Sequence, residues 1–224
     1  MINIKSMAIL KAAFFDLDGT LMDTEGQYTR FWTEMGSEYL PHIPDFVARI
    51  KGNTMQKIWS TYFSGMEQER AVIEQRLNVF ERNMEYPLIN GAKEFVDEMK
   101  RNGIWCAVVT SSDRKKMQNV WEKQPSFMQQ FDAVLTAEDF SFSKPHPDPY
   151  LKAAARLGVD ILECVVFEDA INGLKSALAS GAYTIGLTTE NPSEVVAPLC
   201  HHVISDFTDI SLEQCQACLA DRKF

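Results

Sequence analysis

Ala12-Ala13-Phe14-Phe15-Asp16-Leu17-Asp18-Gly19-Thr20-Leu21 limits the fold more than any other stretch of the chain. A short, Phe-rich apolar run with no polar alternation reads as a strand buried on both faces. It stops in two carboxylates one residue apart, followed by a glycine. Alternation places Asp16 and Asp18 on one side of an extended chain and Leu17 on the other. Two acids at a buried strand end cost free energy unless they share a proton or a cation lies between them. Gly19 lets the backbone turn closely around whatever binds there. The plain alternative is a strand followed by an acidic Asp-Gly turn, but acids rarely cluster at a buried strand end without a chemical use.

Between Met22 and Leu88 the pattern is helical. Tyr28, Phe31, Trp32 and Met35 recur at helical spacing after the capping residues Asp23 and Thr24. Pro41 and Pro44 end that helix. A second helix is expected from about Asn53-Thr54 to Phe63. A third runs from Met66 to Met84, with Val72, Ile73, Leu77 and Phe80 as its apolar side. No strand is expected in this segment. A helical insert directly after an acidic strand end fits a small domain laid over a site as a lid.

From Ile89 onward strands and helices alternate. Strands are expected at Ile104–Val109, Phe131–Leu135, Cys164–Phe167, Tyr183–Leu187 and near Val203-Ile204, with helices between them and a last helix from Ser211. That pattern calls for an α/β fold, a mainly parallel sheet covered on both faces in a Rossmann-like three-layer core. The core takes residues 1–21 and 89–224, and the helical insert takes 22–88. Sites in such sheets lie outside the carboxyl ends of the strands. Those ends carry Asp16 and Asp18, then Thr110-Ser111, then Glu168-Asp169. Lys144 lies between the last two, in Ser143-Lys144-Pro145-His146-Pro147-Asp148. Each signal has an ordinary reading on its own: a helix cap for Thr110, a surface charge for Lys144, a helix N-terminus for the acidic pair. Their order and their shared placement at strand ends are specific.

In that order the four motifs resemble those of the haloacid-dehalogenase superfamily, in the branch containing beta-phosphoglucomutase and phosphoglycolate phosphatase. The resemblance covers nearly the whole chain after Leu10. It implies an Mg²⁺-dependent phosphatase in which Asp16 is the nucleophile and Asp18 the general acid and base. Mg²⁺ would be held by Asp16, the Asp18 backbone carbonyl and Asp169, with Glu168 beside it, and the phosphoryl group by Thr110, Ser111 and Lys144. With Asp18 protonated, the site without metal carries −2 from Asp16, Glu168, Asp169 and Lys144. A phosphosugar mutase is the nearest rival. The mutases carry a His where Tyr28 stands here, and an Arg in the loop that reads Gly52-Asn53-Thr54-Met55. Asn53 and Thr54 are candidate specificity residues of the insert. A catalytically silent phosphate-binding protein would be marked by loss of Asp16 or Asp18, and both are present.

Composition narrows the partners. The net charge of −9 argues against nucleic acid and anionic membranes, and means that a phosphate must be attracted by local positive charge. No apolar run reaches the roughly 18–20 residues of a membrane span. Met1–Leu10 lacks an export signal, so a cytoplasmic monomer or weak dimer acting on a small phosphorylated metabolite is expected. Five cysteines, an odd number in the second half, suit a reducing compartment. Cys215 and Cys218 are read as core packing, and Cys200-His201-His202 as a loop entering a strand.

Overall fold

The computed structural model describes residues 10–220. Residues 1–9, read above as lacking an export signal, and 221–224, assigned above to the core, lie outside that range. Strands β1 (Ala12–Phe15), β2 (Trp105–Val109), β3 (Ala133–Leu135), β4 (Cys164–Glu168), β5 (Tyr183–Leu187) and β6 (His202–Ile204) form one parallel sheet in the order β3-β2-β1-β4-β5-β6. Helices α1 (Glu25–Tyr39), α2 (Phe46–Ile50), α3 (Met55–Tyr62) and α4 (Glu67–Asn83) lie between β1 and β2. The sheet is flanked by α5 (Ala92–Arg101), α6 (Arg114–Lys123), α7 (Pro125–Met128), α8 (Asp148–Leu157), α9 (Ile171–Ser180), α10 (Ser193–Val196) and α11 (Leu212–Ala220).

β1 shows why its sequence does not alternate. All four residues are fully buried. Phe15 stacks on Phe167 at 5.0 Å and meets Phe95 edge-on at 6.3 Å on one face of the sheet. Phe14 packs on the other face with Tyr150, Ala153 and Val166. Register does the rest. Phe15 lies opposite Val108 on one side and Phe167 on the other, so Asp16, just past the end of β1, stands level with Val109 and Glu168 at the ends of β2 and β4. β1 is also where the strand order turns, with β2 and β3 to one side and β4 to β6 to the other. Parallel sheets open a crevice at such a switch point.

The helical insert has a core of its own, built on Trp32, Phe46, Trp59, Phe63, Ile73 and Leu77. α2 is an addition to the sequence reading. It is only five residues long, too short for periodicity to show, and it buries Phe46 and Ile50. Val72 departs from expectation: it is 42% exposed while Ile73 is fully buried. Neighbouring helical positions differ by about 100°, so both cannot face one core. β3 begins at Ala133 rather than Phe131, because Phe131 turns into an edge contact with Phe15 at 6.0 Å. The insert leaves and rejoins the core through two adjacent strands of chain. Met22 and Leu88 form an antiparallel bridge, the Asp23 N–H donates to the Pro87 carbonyl at 2.9 Å, and the Ile89 N–H donates to the Leu21 carbonyl at 2.9 Å. Among the described residues no helix is long and apolar enough to cross a membrane.

Candidate active site

The crevice gathers the three polar strand ends and the loop that carries Lys144. Lys144 Nζ donates to Asp16 Oδ1 at 2.6 Å, to Glu168 Oε1 at 2.5 Å and to the Val109 carbonyl at 3.0 Å. Its loop is held in place by Asp148, whose carboxylate accepts the Ser141 and Phe142 N–H groups, and by Ser176, which donates to the His146 carbonyl. Burial works against the Lys144 ammonium, but the carboxylates of Asp16 and Glu168 hold its pKa above the usual value. Burial pushes Asp16 up to about 7; Lys144 opposes the rise and Glu168 adds to it. Glu168 is fully engaged. Its Oε1 also accepts the Tyr150 hydroxyl at 2.9 Å, and its Oε2 accepts the N–H groups of Asp169 and Ala170.

Asp169 is the odd member of this group. Thr20 donates to its Oδ1 at 2.7 Å, yet its Oδ2 is buried with no hydrogen-bond partner among the described residues. A further carboxyl, Glu190, lies close to the Asp169 side chain. Burial, then Glu168 and Asp16, raise the Asp169 pKa well above the carboxylate range. Oxygens of Asp16, Glu168 and Asp169 lie within 4.8 Å of one another. Two glycines make the room. A Cβ on Gly19, at φ +76°, would sit 2.0 Å from Asp169 Oδ2, and a Cβ on Gly173 would sit 1.7 Å from Glu168 Oε1. An orphaned carboxylate oxygen among three buried acids is what a hard divalent cation satisfies, so the donor set fits one.

Asp18 stands differently from the sequence expectation. Thr24 donates to its Oδ1 at 2.6 Å, Ser112 donates to its Oδ2 at 3.1 Å, and the buried Lys116 ammonium is bonded to Oδ2. Burial would raise the Asp18 pKa, but the Lys116 charge and these hydrogen bonds overcome it and hold it below the usual range. In this geometry Asp18 is therefore ionised, whereas the charge count above took it as protonated. Lys116 brings one positive charge with it, which offsets the charge of the ionised Asp18.

Thr24, Ser112 and Lys116 were not found by sequence reading. Thr24 occupies the N-cap position of α1, where it was expected, but its hydroxyl makes no cap bond because it serves Asp18 instead. A signal for Lys116 did exist. Arg114, Lys115 and Lys116 crowd the first turn of α6, the end of a helix where cations are disfavoured. Arg114 answers to Asp139 and Lys116 to Asp18.

Thr110 is buried, and its hydroxyl oxygen accepts the Ser112 N–H at 3.0 Å, which leaves the hydroxyl proton for a ligand. Ser111 donates to the Gly52 carbonyl at 3.3 Å and ties the insert to the core. Asn53 lines the chamber above Asp16, with its amide donating to Arg49 O. Thr54 does not line it: Thr54 is the N-cap of α3 and accepts the Lys57 N–H at 3.3 Å. Trp32, which recurs at helical spacing in the sequence, and Trp59 both pack in the insert's core and line the chamber.

A family model for haloacid dehalogenase-like hydrolases matches residues 10–181. The chain belongs to that family. Among curated relatives, Hexitol phosphatase B of Escherichia coli (strain K12) is 30% identical over 180 residues, covering 75% of this chain and 79% of the relative. Beta-phosphoglucomutase of Bacillus subtilis (strain 168) is 24% identical over 217 residues, covering 91% and 93%. Among solved structures, a HAD hydrolase of family IA, variant 3, from Entamoeba histolytica HM-1:IMSS superposes with a TM-score of 0.80 at 28% identity, covering 94% of this chain and 100% of that one. This hydrolase is thus placed in the branch of phosphatases and beta-phosphoglucomutase-like proteins, with a Rossmann-like core, and is a phosphatase-class enzyme.

Proposed function

We propose that this hydrolase cleaves a small phosphorylated metabolite, a sugar phosphate or similar, through an aspartyl-phosphate on Asp16, with Mg²⁺ as the cation. The observation that carries the reading is the Asp16–Lys144–Glu168 clamp, 2.6 and 2.5 Å on its two sides, set beside the unpartnered Asp169 Oδ2. Lys144 fixes one Asp16 oxygen and keeps a positive charge where phosphoryl oxygens would lie. The other oxygen attacks phosphorus in line, and the bond to the leaving oxygen breaks as the new one forms. Thr110, the Ser111 N–H and Lys144 take the charge of the transferring group. Asp16, Asp169 and the Asp18 carbonyl would hold the cation, with Glu168 orienting Lys144 and the Asp169 backbone. A divalent ion bound there supplies the charge that lets a phosphate dianion approach a carboxylate. Asp18, ionised in this geometry, would take up a proton from solvent as the phosphate arrives, give it to the leaving oxygen, and then take one from the water that hydrolyses the intermediate. Its lowered pKa suits the second task, and a phosphate dianion arriving beside it raises it toward the first.

The mutase reading has relatives on its side, but the chamber speaks against it. A bisphosphate intermediate needs cations at both ends of the pocket. Among the described residues no Arg or His lines this one. Lys144 and Lys116 serve Asp16 and Asp18, and Lys51 is bonded to Glu190 and pairs with Glu25 at 3.4 Å, so among the described residues Lys115 is the one lining cation without a carboxylate partner. Release of inorganic phosphate from an aryl phosphate in Mg²⁺ tests the proposal, with EDTA and Asp16→Asn as the two ablations. Both should abolish turnover; full activity in excess chelator, or in D16N, rejects it. Efficient isomerisation of beta-glucose 1-phosphate with a bisphosphate primer and no phosphate release would install the mutase reading instead.

A further inference from the structure

The chamber between sheet and insert has a volume of about 390 Å³, near the small end of ligand pockets, and runs from Asp16 to the wall formed by α1 and α4. Glu81 stands on that wall, 7% exposed, with Oε1 accepting the Tyr28 hydroxyl at 2.8 Å. The cation that faces it, Lys116, is bonded to Asp18 instead. Tyr28 is held in place. Its ring meets Phe80 edge-on at 5.4 Å and covers the Lys116 ammonium at 4.3 Å. The result is a fixed carboxylate with acceptor capacity left over, in a chamber that the largely buried Trp32 and Trp59 also line. A carboxylate accepts hydroxyls and repels anions. Indole faces pack on the C–H surface of a carbon skeleton.

We propose that Glu81 and Tyr28 read the leaving group: they accept a hydroxylated, uncharged carbon chain and turn away a substrate that carries a second phosphate. The inference rests on the phosphatase reading for its orientation, with the scissile phosphate at Asp16 and the leaving group against the insert. It adds a stated chemical class and names the residues that select it. The wall carries the acids Glu81 and Glu74, which repel a distal phosphate; of the lysines that line the chamber, Lys144, Lys116 and Lys51 are paired with carboxylates, and Lys115 on α6 is not, among the described residues.

The test compares sorbitol 6-phosphate with fructose 1,6-bisphosphate in Mg²⁺, reading kcat/KM by phosphate release for wild type, E81Q and Y28F. Removing a unit charge a few ångströms from a distal phosphate changes its affinity by about tenfold or more. In E81Q the preference for the monophosphate should fall by that factor, from both sides: weaker use of the hexitol ester and better use of the bisphosphate. Y28F, which frees Glu81 without removing its charge, should weaken the hexitol ester and leave the bisphosphate as poor as before. A preference within twofold of wild type in E81Q overturns the inference, and should E81Q not fold, an unchanged hexitol KM in Y28F does the same. Binding of the two ligands to D16N and to D16N/E81Q by calorimetry needs no turnover. A wild type that releases no phosphate from any ester thus defeats the phosphatase reading, while the calorimetric ratio still decides the role of Glu81.

Discussion

Removing the metal should make the protein's stability depend on pH in a definite direction, and Asp16 sets the size of the effect. Its carboxyl moves from 3.8 to about 7 on folding, because burial disfavours the charged form more than Lys144 restores it. At 1.36 kcal/mol per pH unit, folding then favours protonated Asp16 by on the order of 4 kcal/mol. An acid that binds its proton more tightly when folded contributes stability below pH 3.8 and loses it as pH rises toward 7. Asp169, Glu25 and Glu190 are raised by burial as well and act in the same direction. Asp18, which is lowered, acts below 3.8, and Lys144, which is raised, acts above 10.5, so neither interferes. A chain of this size shifts its Tm by roughly 2–4 °C per kcal/mol, so Asp16 alone corresponds to on the order of 10 °C. The assay is thermal unfolding in EDTA from about pH 4.5 to 7.5, for wild type and D16N. The net charge of −9 adds a similar drift to both proteins, and their difference isolates Asp16. Wild type should lose Tm more steeply than D16N, and Mg²⁺ should restore wild type most at the upper pH, where the carboxylates can ionise around it. Parallel curves for the two proteins, or an Mg²⁺ response no larger in wild type than in D16N, would refute the reasoning.

Gly173→Ala should disable the enzyme without touching a ligand, since its Cβ would displace the Glu168 carboxylate from Lys144 and Tyr150; we expect a loss of about 3–5 kcal/mol in unfolding free energy and a fall in aryl phosphatase activity. Gly158→Ala, whose Cβ meets nothing within 4 Å at φ +67°, is the control and should cost about 1–2 kcal/mol with activity kept. Thr20→Val removes the donor that orients Asp169 and should weaken Mg²⁺ activation by about 10–100-fold, measured as the Mg²⁺ concentration for half-maximal rate. Lys116→Met removes the charge that holds the Asp18 pKa down, so the acidic limb of the kcat profile should move to higher pH; an unmoved limb would show that Lys116 does not govern Asp18.

What could be read from the sequence was whatever is encoded locally. β1 declares itself through four consecutive apolar residues, and α3 through Thr54 ahead of a helical pattern. The strand-end motifs are local too, and the parallel sheet follows from the alternation of strands with helices, although the order of its strands does not. The surroundings of Asp18 are not local. Lys116 is 98 residues away and Ser112 is 94 away, and only the placement of α6 under the insert brings them in. Glu81 is hidden for a similar reason: on α4 it sits among Glu67, Glu69 and Glu74, and nothing nearby in the chain sets it apart from a solvated helix acid. Asn53 and Thr54 show the limit from the other side. One-residue neighbours point differently, and the cap hydrogen bond claims Thr54.

The paired crossing at Met22 and Leu88 has a consequence for how such a molecule diversifies. Because the chain departs and comes back at almost one point, the stretch between can be exchanged, lengthened or trimmed while the sheet keeps its register, and the closure entropy changes only slowly with length. Selectivity residues such as Glu81 sit inside that exchangeable cassette, whereas Asp16, Lys144 and Asp169 sit outside it. New substrates can therefore be tried by rewriting one cassette, with the bond-breaking apparatus inherited whole.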